Sequence, residues 1–137
     1  VYMLARMNET AEAFFSSIAY THAHDKSIKA VATGIVDGAA VDSLIWEYEN
    51  RTNPEFTSRT KIIRKSPPYG IPPVVVRPGL DPKTKESLRQ IFLNAHTDEK
   101  GRAILSGMMI EKFVPISDSA YASIREMKQW LEKQEGM

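Results

Sequence analysis

The run Thr21-His22-Ala23-His24-Asp25 sets two imidazoles and a carboxylate just ahead of a segment with helical periodicity. An imidazole N–H can donate to a phosphoryl or phosphonyl oxygen, and the free N–H groups at a helix start favour an anion. The same residues admit a plainer account, in which Asp25 caps the helix and the histidines are exposed loop residues. His-x-His-Asp also contains ligand types suited to zinc or iron, and on a strand His22 and His24 would face the same way. No HExxH or other helical metal spacing accompanies them, and His96 lies far along the chain in a helical pattern. No metal site is therefore assigned.

Asp42-Ser43 repeats the arrangement at the next apolar-to-helix junction, so both junctions could line one cleft; its alternative is a helix cap and nothing more. Ser66 and Tyr69 offer hydroxyl donors within the stiff run Ser66-Pro67-Pro68-Tyr69-Gly70-Ile71-Pro72-Pro73, which could equally be only a connection between lobes. Trp46 and Trp130 sit among apolar neighbours at helical spacing and read as packing residues. Lys61, Arg64 and Lys65 read as a solvated face. There is no GxSxG, P-loop or GxGxxG and no cysteine, so acyl, phosphoryl-nucleotide and dinucleotide chemistry find no support, and no cofactor is implied.

These residues are positioned by alternating elements. Tyr2 to Phe15 has the period of a helix, and Ser17 to Thr21 reads as a strand. Ile28, Val31, Ala32 and Ile35 give the next segment one apolar face, closed by Gly34. Gly38 to Val41 reads as a buried strand leading into a helix capped by Asp42 or Ser43 and ended at Asn53-Pro54. Thr60 to Arg64 and Val74 to Val76 read as further strands. Strands alternating with helices imply crossover units, hence an α/β class with a mostly parallel sheet.

After Arg77-Pro78-Gly79 the pattern becomes mainly helical. Leu88, Ile91, Phe92 and Ala95 share one face behind Pro82, and Asp98 opens a helix reaching about Leu105. Lys112 to Val114 reads as a brief strand, and Ser117 or Asp118 caps a last helix with Tyr121, Ile124, Met127 and Leu131 on its face. The division falls in the proline loop, near residues 66 to 80.

The 137 residues suit one ordinary domain, and eighteen basic against seventeen acidic residues give a formal charge of +1. No bulk field attracts nucleic acid or an anionic membrane, so an anion must be held by local geometry. No apolar run approaches the roughly 18 residues that span a bilayer, so no membrane insertion is expected of this segment. The opening Val1-Tyr2-Met3-Leu4-Ala5-Arg6 lacks the basic and apolar regions of a signal peptide and reads as helix interior without a cap, the expectation for a fragment.

Two stretches carry a family resemblance: His24-Asp25-Lys26-Ser27-Ile28-Lys29-Ala30-Val31, and Gly34-Ile35-Val36-Asp37-Gly38-Ala39-Ala40-Val41-Asp42-Ser43. Ser66-Pro67-Pro68 through Pro72-Pro73-Val74-Val75-Val76, Gly101-Arg102, Phe113-Val114-Pro115 and Asp118-Ser119-Ala120-Tyr121 extend it over nearly the whole chain. The sequence resembles the phosphate/phosphite/phosphonate-binding proteins of ABC transporters, which have the type 2 periplasmic binding protein fold. That resemblance implies two α/β lobes clamping a small oxyanion. Residues 1–76 would belong to the second lobe, and 77–137 would return toward a first lobe absent from the sequence. It implies a ligand-capture module that is not an enzyme, partnered by an ABC permease. The protein would be periplasmic or extracellular and held at the membrane by a signal or anchor outside this segment. His24 resembles the family's oxyanion donor, and Asp42, Ser43, Ser66 and Tyr69 are further ligand-binding candidates. Where aminoalkylphosphonate binders tend to carry an acidic residue in the proline loop, this chain has Ile71-Pro72-Pro73, which offers no counter-charge to an amine. A sensor domain of a signalling protein and a metal-assisted enzyme using His22, His24 and Asp25 are the alternatives on the same fold.

Overall fold

A computed structural model describes residues 1–135; the last two residues of the segment 77–137 lie outside the described residues. The chain forms two compact units, Val1–Pro67 and Pro68 onward. Seven α-helices are described: α1 (Tyr2–Ala5), α2 (Ala11–Phe14), α3 (His24–Ala32), α4 (Ser43–Thr52), α5 (Pro82–Asn94), α6 (Glu99–Gly107) and α7 (Ala122–Glu135). Two 3-10 turns, Thr57–Arg59 and Asp118–Tyr121, accompany them.

In the first unit, the single helix expected over Tyr2 to Phe15 is two short ones. Asn8 takes a left-handed φ of 60°, and the Thr10 side chain then caps a new helix by accepting from the Ala13 N–H. Asparagine tolerates that conformation better than most residues, and threonine competes for backbone donors, so the interruption is local in origin. α3 ends as its apolar pattern and Gly34 predict. Gly34, at φ +73°, donates its N–H to Val31 O, and the Ile35 N–H reaches Ala30 O, closing the helix with a Schellman motif. α3, α4 and the turn at Thr57 pack together. Ile28, Ala30 and Ala32 of α3 are buried, as is Thr57, whose hydroxyl donates to Asn50 Oδ1 at 2.9 Å. The Trp46 indole N–H donates to Thr60 Oγ1 at 3.2 Å, and the Thr60 hydroxyl donates back to Thr57 O at 2.8 Å. These bonds fasten the turn to α4, and they account for Trp46 as a packing residue with a satisfied polar edge.

In the second unit, Asp81 caps α5 with Pro82 at its first turn, and Asp98 caps α6. Ser117 caps the 3-10 turn that runs into α7, and Arg125 pairs with Asp118 across that joint. Phe113 stands edge-on to Phe92 of α5, ring centroids 5.0 Å apart. Leu105 of α6 is buried.

The sheet is the main departure from expectation. Among the described residues no strand forms, so the mostly parallel sheet read from the sequence is not present. Residues 17–21, 38–41, 60–64, 74–76 and 112–114 all lie outside regular structure. Their β-branched and apolar residues suit a pleated surface, but that preference is realised only by packing and by ladder bonds to a neighbour. Ile63 and Val75 are 90% and 78% exposed, so neither stretch has gained the burial that would offset its ordering.

Candidate functional site

The two junctions singled out in the sequence meet in the first unit. Thr21 Oγ1 donates to the Ala23 carbonyl at 2.8 Å and lies 2.7 Å from Ser27 Oγ. Because the one threonine proton goes to Ala23, the Ser27 hydroxyl donates to Thr21. This link ties the loop to the first turn of α3. The backbone bends sharply there, with His22 at φ 60° and Ala23 extended at φ −158°.

His24 is the first residue of α3, and its Nδ1 accepts the backbone N–H of Asp42 at 3.3 Å. The side chain of Asp42 is at the same time the cap of α4, its Oδ1 accepting from the Leu44 N–H at 2.8 Å. The starts of α3 and α4 are thereby joined by an imidazole. Ser43 is the first residue of α4 and is exposed. Asp25 is not the cap expected of it. The N-cap of α3 is Ala23, which supplies no side-chain acceptor, and Asp25 stands one position inside the helix. There its carboxylate still interacts favourably with the positive end of the helix dipole.

The bend at His22 and the helical placement of His24 remove the strand alternation that would have aligned the two imidazoles. Among the described residues no three histidine, aspartate or glutamate side chains gather as a metal would require.

Ser66 and Tyr69 fall in different compact units. The Ser66 hydroxyl donates to the adjacent Pro67 carbonyl at 3.0 Å. Tyr69 is part of a docked loop within the second unit. Its hydroxyl donates to Met127 Sδ at 3.6 Å, while the Tyr121 hydroxyl donates to Ile71 O at 3.0 Å. Beyond the residues singled out, the first unit has a cleft of about 310 Å³ whose lining includes Asp25, Ile28, Lys29, Glu49 and Phe56. The Lys29 ammonium sits over the Phe56 ring, 5.3 Å from its centroid.

Residues 1–121 match the family model described as the periplasmic substrate-binding protein of ABC transporters for phosphonate. The chain belongs to this family. Among relatives of this phosphonate-binding family, a probable ABC transporter phosphite binding protein of Prochlorococcus marinus (strain MIT 9301) is 27% identical over 120 residues, covering 83% of this chain and 40% of the relative. A phosphonates-binding periplasmic protein of Escherichia coli (strain K12) is 27% identical over 133 residues, covering 97% of this chain and 39% of the relative. The chain thus spans about two fifths of the length of the curated relatives it matches. No helix among the described residues is long and apolar enough to cross a membrane.

Two participants of the junction, both within stretches singled out in the sequence, were given no role there. Thr21 and Ser27 shape the loop that presents His24, and the only signal was a hydroxyl residue ahead of the helix facing another one turn inside it.

Proposed function

We propose that this chain is part of a solute-binding protein of an ABC importer and takes up phosphate, phosphite or a small phosphonate in a cleft between two lobes. The reading rests on membership of the family together with one geometric observation. His24, at an α3 start with no side-chain cap, is fastened to the amide of Asp42 at the start of α4. An imidazole donor beside free helix N–H groups can hold an oxyanion by hydrogen bonds alone, without a net positive charge on the protein.

In this reading His24 donates to a phosphoryl or phosphonyl oxygen. Ser43 offers a hydroxyl at the α4 start, and Asp42 holds that helix in place while its amide holds the imidazole. Ser66 and Tyr69, both now bonded within their own units, are secondary candidates that would join the site on lobe closure. The proposed fold is the two-lobed α/β type 2 architecture, with residues 1–76 in the second lobe and 77–137 returning toward the first. The stretches 60–64 and 74–76 would gain their ladder partners in its sheets. The protein would work in the periplasm beside an ABC permease, anchored to the membrane, and would turn nothing over. Ile71-Pro72-Pro73 supplies no carboxylate, so an aminoalkylphosphonate is disfavoured against an unsubstituted oxyanion.

The test is a thermal-shift and calorimetric screen of the product of the complete reading frame with phosphate, phosphite, sulfate, methylphosphonate and 2-aminoethylphosphonate. A ligand at 100 times its dissociation constant adds about 2.7 kcal/mol of stability. A shift with one phosphorus oxyanion that His24→Ala removes is the expected result. No response to any of them overturns the assignment.

A further inference from the structure

The bond between His24 and Asp42 carries more than proximity, because its direction is not open to choice. Asp42 contributes a backbone N–H, which can only donate, and it lies 3.3 Å from His24 Nδ1. The nitrogen that accepts must be unprotonated. A neutral imidazole carries one proton, so that proton is on Nε2. We infer that the main-chain amide of Asp42 is a positioning group that locks His24 in the Nε2–H tautomer, making the imidazole a one-way donor. This inference rests on the proposed role of His24 in oxyanion binding and assigns the part its neighbour plays.

The chemical consequence is a filter on the ligand atom that meets His24. With Nδ1 occupied and Nε2 protonated, the neutral ring has a donor to offer and no free acceptor. It suits an ionised P–O oxygen and cannot receive a P–OH proton. The lock is independent of the helix caps: the Asp42 carboxylate is spent on the Leu44 N–H, and the amide serves His24. One residue therefore orders both the helix that follows it and the imidazole of the helix before it.

Two side chains separate the roles of the ring nitrogens. An asparagine oxygen falls near the position of Nδ1 and a glutamine nitrogen near that of Nε2. His24→Asn should keep the acceptor for the Asp42 N–H while losing the donor, and His24→Gln should keep the donor while losing the tether. The first measurement uses no ligand: long-range ¹H–¹⁵N correlation on the histidine-labelled chain, at a pH where the rings are neutral. The expected spectrum shows His24 Nδ1 unprotonated and Nε2 protonated, without the minority Nδ1–H form of a free histidine. A mixture like that of a free histidine, or a protonated Nδ1, overturns the lock whatever the protein binds. The second measurement is affinity for inorganic phosphate and methylphosphonate in the complete reading-frame product. Loss of a charge-assisted donor predicts a fall of roughly 10- to 100-fold for His24→Asn, with the smaller loss in His24→Gln. His24→Asn binding like the parent protein would show that His24 acts only as a tether and would overturn the donor assignment. Absence of oxyanion binding in the parent protein, with the tautomer confirmed, would remove the proposed function and leave the lock standing.

Discussion

Gly101 lies where no side chain fits. A Cβ there would be 1.9 Å from the Ala95 carbonyl oxygen and 2.8 Å from its carbon, both backbone atoms that cannot swing aside. Gly101→Ala should therefore force the α5–α6 junction apart, at a cost of about 1 to 3 kcal/mol, read as a lower urea midpoint with an unchanged slope. Met109 presents the opposite case. It holds a left-handed φ of 54° in the Schellman closure of α6, where its N–H meets Ser106 O and the Ile110 N–H meets Leu105 O. Glycine relieves the Cβ clash of that conformation, so Met109→Gly should stabilise the chain by about 0.5 to 1 kcal/mol, checked by the same denaturation curve. Leu105, buried beside that closure, should cost between about 2 and 5 kcal/mol when cut to alanine. At this scale the site was partly legible. His24 and Asp42 could each be placed at a helix start from neighbouring residues. The bond between them could not, because the partners stand eighteen positions apart in the chain.

The helices behave as their local residues dictate. Asp42, Asp81, Asp98 and Ser117 all cap the elements that follow them, each by accepting a backbone N–H within three residues. Asp81 has a measurable consequence. The Thr84 backbone N–H, and next the Thr84 hydroxyl, hold its carboxyl below the ordinary value of 3.8. A carboxylate with a lowered folded value stabilises the helix above its unfolded pKa, and that contribution disappears as pH falls through the folded value. Acid titration followed by far-UV circular dichroism should show α5 losing order below about pH 4, the ordinary aspartate range. Asp81→Asn, an uncharged acceptor, should flatten that dependence. The break between α1 and α2 belongs here too. The apolar spacing of Leu4, Met7, Ala11 and Phe14 argued for one helix, but Asn8 and Thr10 imposed a turn and a new cap that periodicity does not register.

Across the whole molecule the buried apolar set among the described residues is small: Ile28, Ala30, Ala32 and Leu105. Large apolar side chains such as Ile35, Ile63 and Val75 are at least three quarters exposed. Exposed apolar residues next to unladdered backbone favour association with any surface that covers them. The 137-residue chain should therefore sediment with a concentration-dependent mass, and Ile63→Lys combined with Val75→Lys should reduce that dependence. A monomer at every concentration would show that these side chains are harmless as they stand.

The amino-acid sequence by itself determined what depends on near neighbours: the caps at Asp42, Asp98 and Ser117, the glycine closure of α3, the proline loop without helix, and the placing of His24 and Asp42 at the starts of two helices. It also carried the motifs by which the family was recognised, since these are runs of adjacent residues. Tertiary structure alone decided that Asp42 meets His24, that the turn at Thr57 seals α3 against α4, and that the Tyr69 hydroxyl goes to Met127. It also decided that the stretches with β character stay outside any ladder. A cap is satisfied by atoms two or three residues away, whereas a strand is satisfied only by another strand, and its neighbour is specified by the whole fold.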